Sequence, residues 1–213
     1  MKLGKQLVKG FEEAAGGDFE SALLHATIAV DATSKRLYPA ETRVGERYKR
    51  SLRDYYWLLE PMIGGGINLV ETRFTNVQSL PDPDLADLVY SVFRCGHCHG
   101  DEISPAFAFT KSHGEVSTWE LTRDVVRMPD RFVWALLSVV VLSHVNAREG
   151  ADTLSLDYHL TLGPEGPFFV SEWWGRENDF RPIAARYNKV RVKLDGLGGF
   201  PPVPSGESGD RSQ

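Results

Sequence analysis

The sequence predicts a mainly α fold with a minor β component (α+β), a helical bundle carrying β-hairpin insertions. Apolar residues recur at helical spacing through long segments, and Gly and Pro fall between those segments. Short alternating stretches suited to strands occur in only two places. With 213 residues, 42 % of them hydrophobic and 25 % charged, the chain is large enough to bury its own core.

The elements follow in order. Residues 1–17 read as an N-terminal extension. After Gly16-Gly17, Asp18 is a good N-cap for a helix to about Leu37, with Ala22, Ala26, Ala29, Val30, Thr33 and Leu37 on one face. Tyr38-Pro39 ends it, and a second helix spans about Ala40 to Leu59 with Val44, Tyr48, Leu52, Tyr55 and Leu59 on one stripe. Pro61 and Gly64-Gly65-Gly66 close that helix; the triplet lacks the Gly-Lys-Ser/Thr ending of a phosphate loop. A third helix opens at Asp82-Pro83-Asp84, with Asp82 as cap and proline at the first helical position. Its apolar face is Leu85, Leu88, Val89, Val92 and Phe93.

A hairpin is expected at about 106–128, turning around Ser112-His113-Gly114. Pro129-Asp130 then starts a long apolar helix to about Arg148, and residues 18–150 make up the helical domain. A C-terminal unit, 151–195, combines a β-hairpin across Gly163-Pro-Glu-Gly with a basic helix from about Phe180 to Leu194. Residues 196–213, rich in Gly, Pro and Ser, are expected to be a disordered tail.

The first ten residues have no apolar run suited to a signal peptide, and Phe132–Val145 is shorter than the roughly 20 residues of a membrane span. The expectation is a cytoplasmic protein with no membrane partner, where a structural disulfide between the two cysteines is disfavoured. Net charge is −5 but unevenly spread. Lys35, Arg36, Arg43, Arg47, Lys49, Arg50 and Arg53 are offset only by Glu41 and Glu46, and 181–193 is basic throughout. Arg43, Arg47 and Arg50 line up along one side of a helix, where they read either as a polyanion-binding row or as a solvated face.

Arg94-Cys-Gly-His-Cys-His99 carries the most chemistry. Cys95, Cys98 and His99 fit the C-x-x-C-H pattern of covalent haem, with thiols for the vinyl groups and histidine as axial ligand. Cys95 and Cys98 also fit a redox dithiol, but at the end of a helix the dipole opposes a low-pKa thiol. Cys95, His97, Cys98 and His99 lie too close together to surround a tetrahedral zinc, so no metal and no cofactor are expected. Two buried cysteines with a surface histidine would account for the segment without any chemistry.

Leu88-Val-Tyr-Ser-Val-Phe-Arg94-Cys-Gly-His-Cys-His99-Gly100 resembles the HEPN family signature, in which an apolar helix runs into Arg, a four-residue spacer and His. Ser21-Ala-Leu-Leu-His-Ala-Thr-Ile-Ala-Val-Asp-Ala likewise resembles the opening HEPN helix. The resemblance implies a HEPN-like helical bundle and a homodimer that cleaves RNA without metal. It also implies a toxin or phage-defence role, with an antitoxin or other regulatory partner. By motif position Arg94 would hold the scissile phosphate and His99 would be the general acid/base. Arginine offers a charged fork to phosphate, and histidine titrates near neutrality. On a regular helix Arg94 and His99 sit about 140° apart, so a break at Gly96 or a partner subunit must complete the site. His97 is on the Arg94 side and would be either the working residue or a second proton carrier. Cys95 stands where the family often has Asn or Asp; the alternative function is a non-catalytic module binding RNA, nucleotide or protein. Trp173-Trp174 is expected to pack in the core or to stack on bases beside the basic segment.

Overall fold

The structure, a computed structural model, describes residues 3–63, 66–74, 82–91, 107–112, 119–121, 126–149, 158–162 and 165–187. It is mainly α with small sheets, as the sequence predicts.

The N-terminal stretch is not an extension. Leu3, Leu7, Gly10, Phe11 and Ala14 fall on one stripe, and α1 (Leu3–Gly16) buries that stripe in the core. Gly17, at φ 86°, ends the helix with paired bonds: its N–H donates to Ala14 O (3.1 Å) and the Asp18 N–H to Glu13 O (2.9 Å). Asp18 at once caps α2 (Phe19–Leu37), accepting the Ser21 N–H at 3.0 Å. The two helices thus form a tight antiparallel pair. Small residues let a third helix approach, since a Cβ on Gly10 would meet Leu137 Cδ2 at 2.8 Å.

The helix expected over 40–59 starts at Val44 and breaks at Tyr55, giving α3 (Val44–Asp54) and α4 (Tyr56–Ile63). The third helix is capped two residues later than expected. Asp84 rather than Asp82 caps α5 (Leu85–Leu88) in a reciprocal box with Asp87, and Asp82 has a positive φ of 45°. The helical path continues through a wider π turn at residues 89–91.

Strand β1 (Phe107–Thr110) runs parallel to β3 (Val126–Pro129), and the short β2 (Glu120–Leu121) lies antiparallel to β3. This corrects the simple hairpin expected over 106–128. The Asp130 N–H donates to Thr110 O at 2.9 Å, so β1 and β3 finish together above the next helix. That helix, α6 (Arg131–Leu142), is the centre of the core, with Phe132, Val133 and residues 135–142 buried. It packs on α1, α2 and α4 and ends in a 3-10 turn, His144–Asn146. The C-terminal hairpin forms as expected from β4 (His159–Leu162) and β5 (Glu165–Phe169), with Leu160, Leu162 and Phe168 turned inward. Two helices follow, α7 (Val170–Trp173) and α8 (Glu177–Ala185).

Candidate functional site

Arg94, Cys95, His97, Cys98 and His99 lie outside the described residues, but the helix that leads into them is well placed. Leu85, Ala86, Leu88 and Val89 are buried, which fixes α5 against the core. Its capping carboxylates are gripped from α3. Arg53 donates from Nε to Asp84 Oδ2 (2.7 Å) and from Nη2 to Asp84 Oδ1 (3.2 Å) and Asp87 Oδ2 (3.1 Å). Lys49 Nζ lies 3.4 Å from Asp87 and 3.1 Å from Glu46. Burial opposes the charged form of Asp84, but the Arg53 fork and the Asp87 N–H outweigh it and hold its carboxyl below the usual range. Tyr56 Oη accepts the Ala86 N–H at 3.0 Å, and Tyr90 packs on Tyr48 at 5.6 Å. A Cβ on Gly45 would sit 2.9 Å from the Tyr90 ring, so the segment before Arg94 lies directly on α3.

The three arginines singled out in the sequence all belong to α3 or its cap, and each has an intramolecular contact. Arg43 pairs with Glu41 (Nε to Oε1, 3.2 Å) while its side chain stays 73 % exposed. Arg50 is exposed with its guanidinium 4.5 Å above the Tyr38 ring. Arg47 is drawn inward: its side chain is 13 % exposed, Nη2 lies 3.4 Å from Asp31, and Nε finds no partner among the described residues. Arg43 and Arg50 therefore remain at the surface, and Arg47 bridges α3 to α2. The tryptophan pair packs: Trp174 Nε1 donates to Asn146 O (2.7 Å), and Trp173 meets Phe168 and Phe180 edge-on.

A second cluster was not legible in the sequence. Glu177, with its side chain 8 % exposed, accepts from Tyr55 Oη (2.6 Å) and from Arg181 Nη2 (2.6 Å). His144 Nδ1 lies 2.8 Å from Glu177 Oε2, and its side chain is 60 % exposed. Burial alone would raise the Glu177 carboxyl, but His144, Tyr55 and Arg181 together lower it, so it is charged. A charged carboxylate takes Nδ1 as its donor, which leaves His144 Nε2 facing solvent. Burial, reinforced by the bond to Glu177, pushes the Tyr55 phenol well up, so it stays a donor. Such a pair can orient a histidine for proton transfer, but it also ties α4, α8 and the 3-10 turn together. Glu177 and Arg181 are an i,i+4 pair, but Tyr55 and His144 come from 122 and 33 residues away, so no local spacing announces the cluster as a whole.

The third feature is a cavity of about 390 Å³ above the start of α6. Asp130, Ser112 and His159 contribute polar groups, and Trp134, Tyr158 and Leu160 form apolar walls. Among the described residues no group of three or more His, Cys, Asp and Glu could hold a metal ion. Nor, among them, is any helix long and apolar enough to cross a membrane.

Comparison with known proteins places these features in a family. A model of the family described as Rv1289 matches residues 2–197. The uncharacterized protein Rv1289 of Mycobacterium tuberculosis strain H37Rv is 32 % identical over 201 residues, 92 % of this chain and 93 % of its own. Uncharacterized proteins MT1327 of M. tuberculosis strain CDC 1551 and Mb1320 of Mycobacterium bovis match to the same extent. No solved structure matches the chain at a significant level. Because the family model spans nearly its whole length, the chain belongs to the Rv1289 family.

Proposed function

We propose that this chain is a metal-independent endoribonuclease of the HEPN kind, with Arg94 binding the scissile phosphate and His99 as general acid/base. The observation that carries this reading is how α5 is held. Its buried apolar start and capping carboxylates are locked to a basic helix, so the chain is held in a fixed frame up to Ser91, three residues before Arg94 in sequence. The exposed Arg43 and Arg50 on that basic helix offer a path for the RNA backbone. In the reaction the 2′-oxygen attacks phosphorus and the 5′-oxygen leaves, giving a 2′,3′-cyclic phosphate and a 5′-hydroxyl. Arg94 would neutralise the charge on the phosphoryl oxygens, while His99 and His97 would take the 2′-proton and supply one to the leaving oxygen. The same resemblance supports a cytoplasmic homodimer that pools two motifs, held in check by an antitoxin or similar regulatory partner.

The test is cleavage of RNA by the purified chain in EDTA. Cleavage should persist in EDTA, leave cyclic-phosphate ends, and fall by about 100-fold or more in Arg94→Ala and His99→Ala. His97→Ala separates the two histidines through the acid and base limbs of the rate profile. RNA that is retarded in a gel but never shortened would replace this reading with the non-catalytic binding module.

A further inference from the structure

We propose that the cavity above α6 is a binding site for a small organic cation, an amine or amidine on a flat apolar body, seated on Asp130. The inference is independent of the ribonuclease reading. Asp130 is 9 % exposed and firmly positioned: its N–H donates to Thr110 O (2.9 Å), and its carbonyl accepts the Val133 N–H (3.1 Å). Its carboxylate accepts from Ser112 twice, from N–H at 3.1 Å to Oδ2 and from Oγ to Oδ1. A carboxylate can accept about four hydrogen bonds, so roughly two places remain.

No cationic side chain among the described residues neutralises Asp130. A buried charge with neutral donors alone is costly, and the positive end of α6 compensates only in part. Arg131 and His159 also reach the cavity, but Arg131 has contacts of its own and His159 packs edge-on with Phe169.

The remaining walls select the body of the ligand. Trp134 and Tyr158 both back onto Phe11, with centroids 5.7 and 5.0 Å away, and so stand as rigid aromatic surfaces. Leu160, Met62 and Ala15 complete an apolar lining. A volume of about 390 Å³ suits a small molecule rather than a macromolecule. An ammonium or amidinium group gains a carboxylate partner and aromatic faces together. A bare metal ion would find one carboxylate, one imidazole and hydroxyls, short of the three His, Cys, Asp or Glu ligands that no group of described residues brings together.

The probe is tryptamine, with indole-3-propionate as the acidic counterpart of similar size, titrated calorimetrically against the purified chain. The expected result is saturable binding of the amine with a Kd of about 1 mM or tighter, and at least about tenfold weaker binding of the acid. Asp130→Asn should weaken the amine about tenfold or more and leave the acid unchanged. Because Asp130 is buried and its variant could lose stability, Ala15→Trp is the second arm. Ala15 is exposed at the end of α1, so this substitution fills the cavity from the rim and should abolish binding while the thermal transition stays put. Failure of the wild type to bind the amine, equal binding of the acid, or full binding by Ala15→Trp would each overturn the proposal.

Discussion

On one side of the α3–α4 junction the Tyr55 hydroxyl donates a hydrogen bond to Glu177, and on the other the Tyr56 oxygen accepts one from the Ala86 N–H. The two residues are neighbours in sequence and both are buried, yet they anchor opposite faces of the molecule. The α4–α8 face is held by one interior carboxylate that satisfies three donors. The α3–α5 face is held by a fork of charges at the rim, where Arg53 and Lys49 are 38 % and 21 % exposed. A carboxylate sealed by three donors is a structural clamp whose removal strands buried groups. Rim charges that double as helix caps set the direction of α5 at smaller cost and stay within reach of salt and ligand. In sequence, the proposed catalytic segment follows the second of these, after α5.

The comparison breaks most visibly at Glu177. Glu177→Ala leaves the Tyr55 hydroxyl buried without its acceptor, and we expect a loss of about 3 kcal/mol in urea unfolding. RNA cleavage per folded molecule should stay unchanged; a large drop would mean that the two faces are not independent. Next come the tyrosines, each costing about 1–2 kcal/mol as phenylalanine. Tyr56→Phe orphans the Ala86 N–H and so should also lower cleavage, whereas Tyr55→Phe should not. Equal activity in the two variants would erase the distinction drawn here. Arg53→Met comes third, at about 1 kcal/mol once the exposure of the fork is allowed for. Its cost should shrink in high salt while that of Glu177→Ala does not.

Acid probes both faces together. Asp84 and Glu177 are both held below their unfolded-state values. Their contribution is therefore complete above about pH 5 and is lost as pH falls through the depressed values. The part of the urea midpoint that these two carboxylates supply should be complete above about pH 5 and fall below it, and Glu177→Gln should blunt that fall. The smallest effect on stability belongs to Arg43→Ala, within about 0.5 kcal/mol, because that side chain is largely exposed. The same variant should reduce the salt slope of RNA binding by about one if Arg43 meets a phosphate.

Much of the fold was legible because it is coded locally. Asp18 caps α2 where expected, the apolar run after Asp130 is the central helix, though it ends at Leu142 and not near Arg148, and β4 and β5 pair antiparallel. Other elements were misread for physical reasons. The stripe of α1 is interrupted by Gly4 and Gly10, residues of low helix propensity; both are buried, and at Gly10 Leu137 approaches too closely for a Cβ. Asp82 and Asp84 are both good cap residues, and the reciprocal box with Asp87 together with the Arg53 fork favours the second. The break at Tyr55 coincides with a side chain bonded to a residue 122 positions away, which no periodicity reports. Of the site, the order of Arg94, His97 and His99 and the row on α3 could be read directly, whereas the inward turn of Arg47 could not.

By itself, then, the sequence determined the helical character of the chain and several of the buried faces and caps, α2 above all, since 3.6-residue periodicity, capping and turn chemistry act within a few residues. Only the tertiary structure decided which charges meet. Glu177 found Tyr55, Asp84 found Arg53, and Asp130 was buried on Ser112 with no cation beside it among the described residues, because packing brings together groups far apart in sequence.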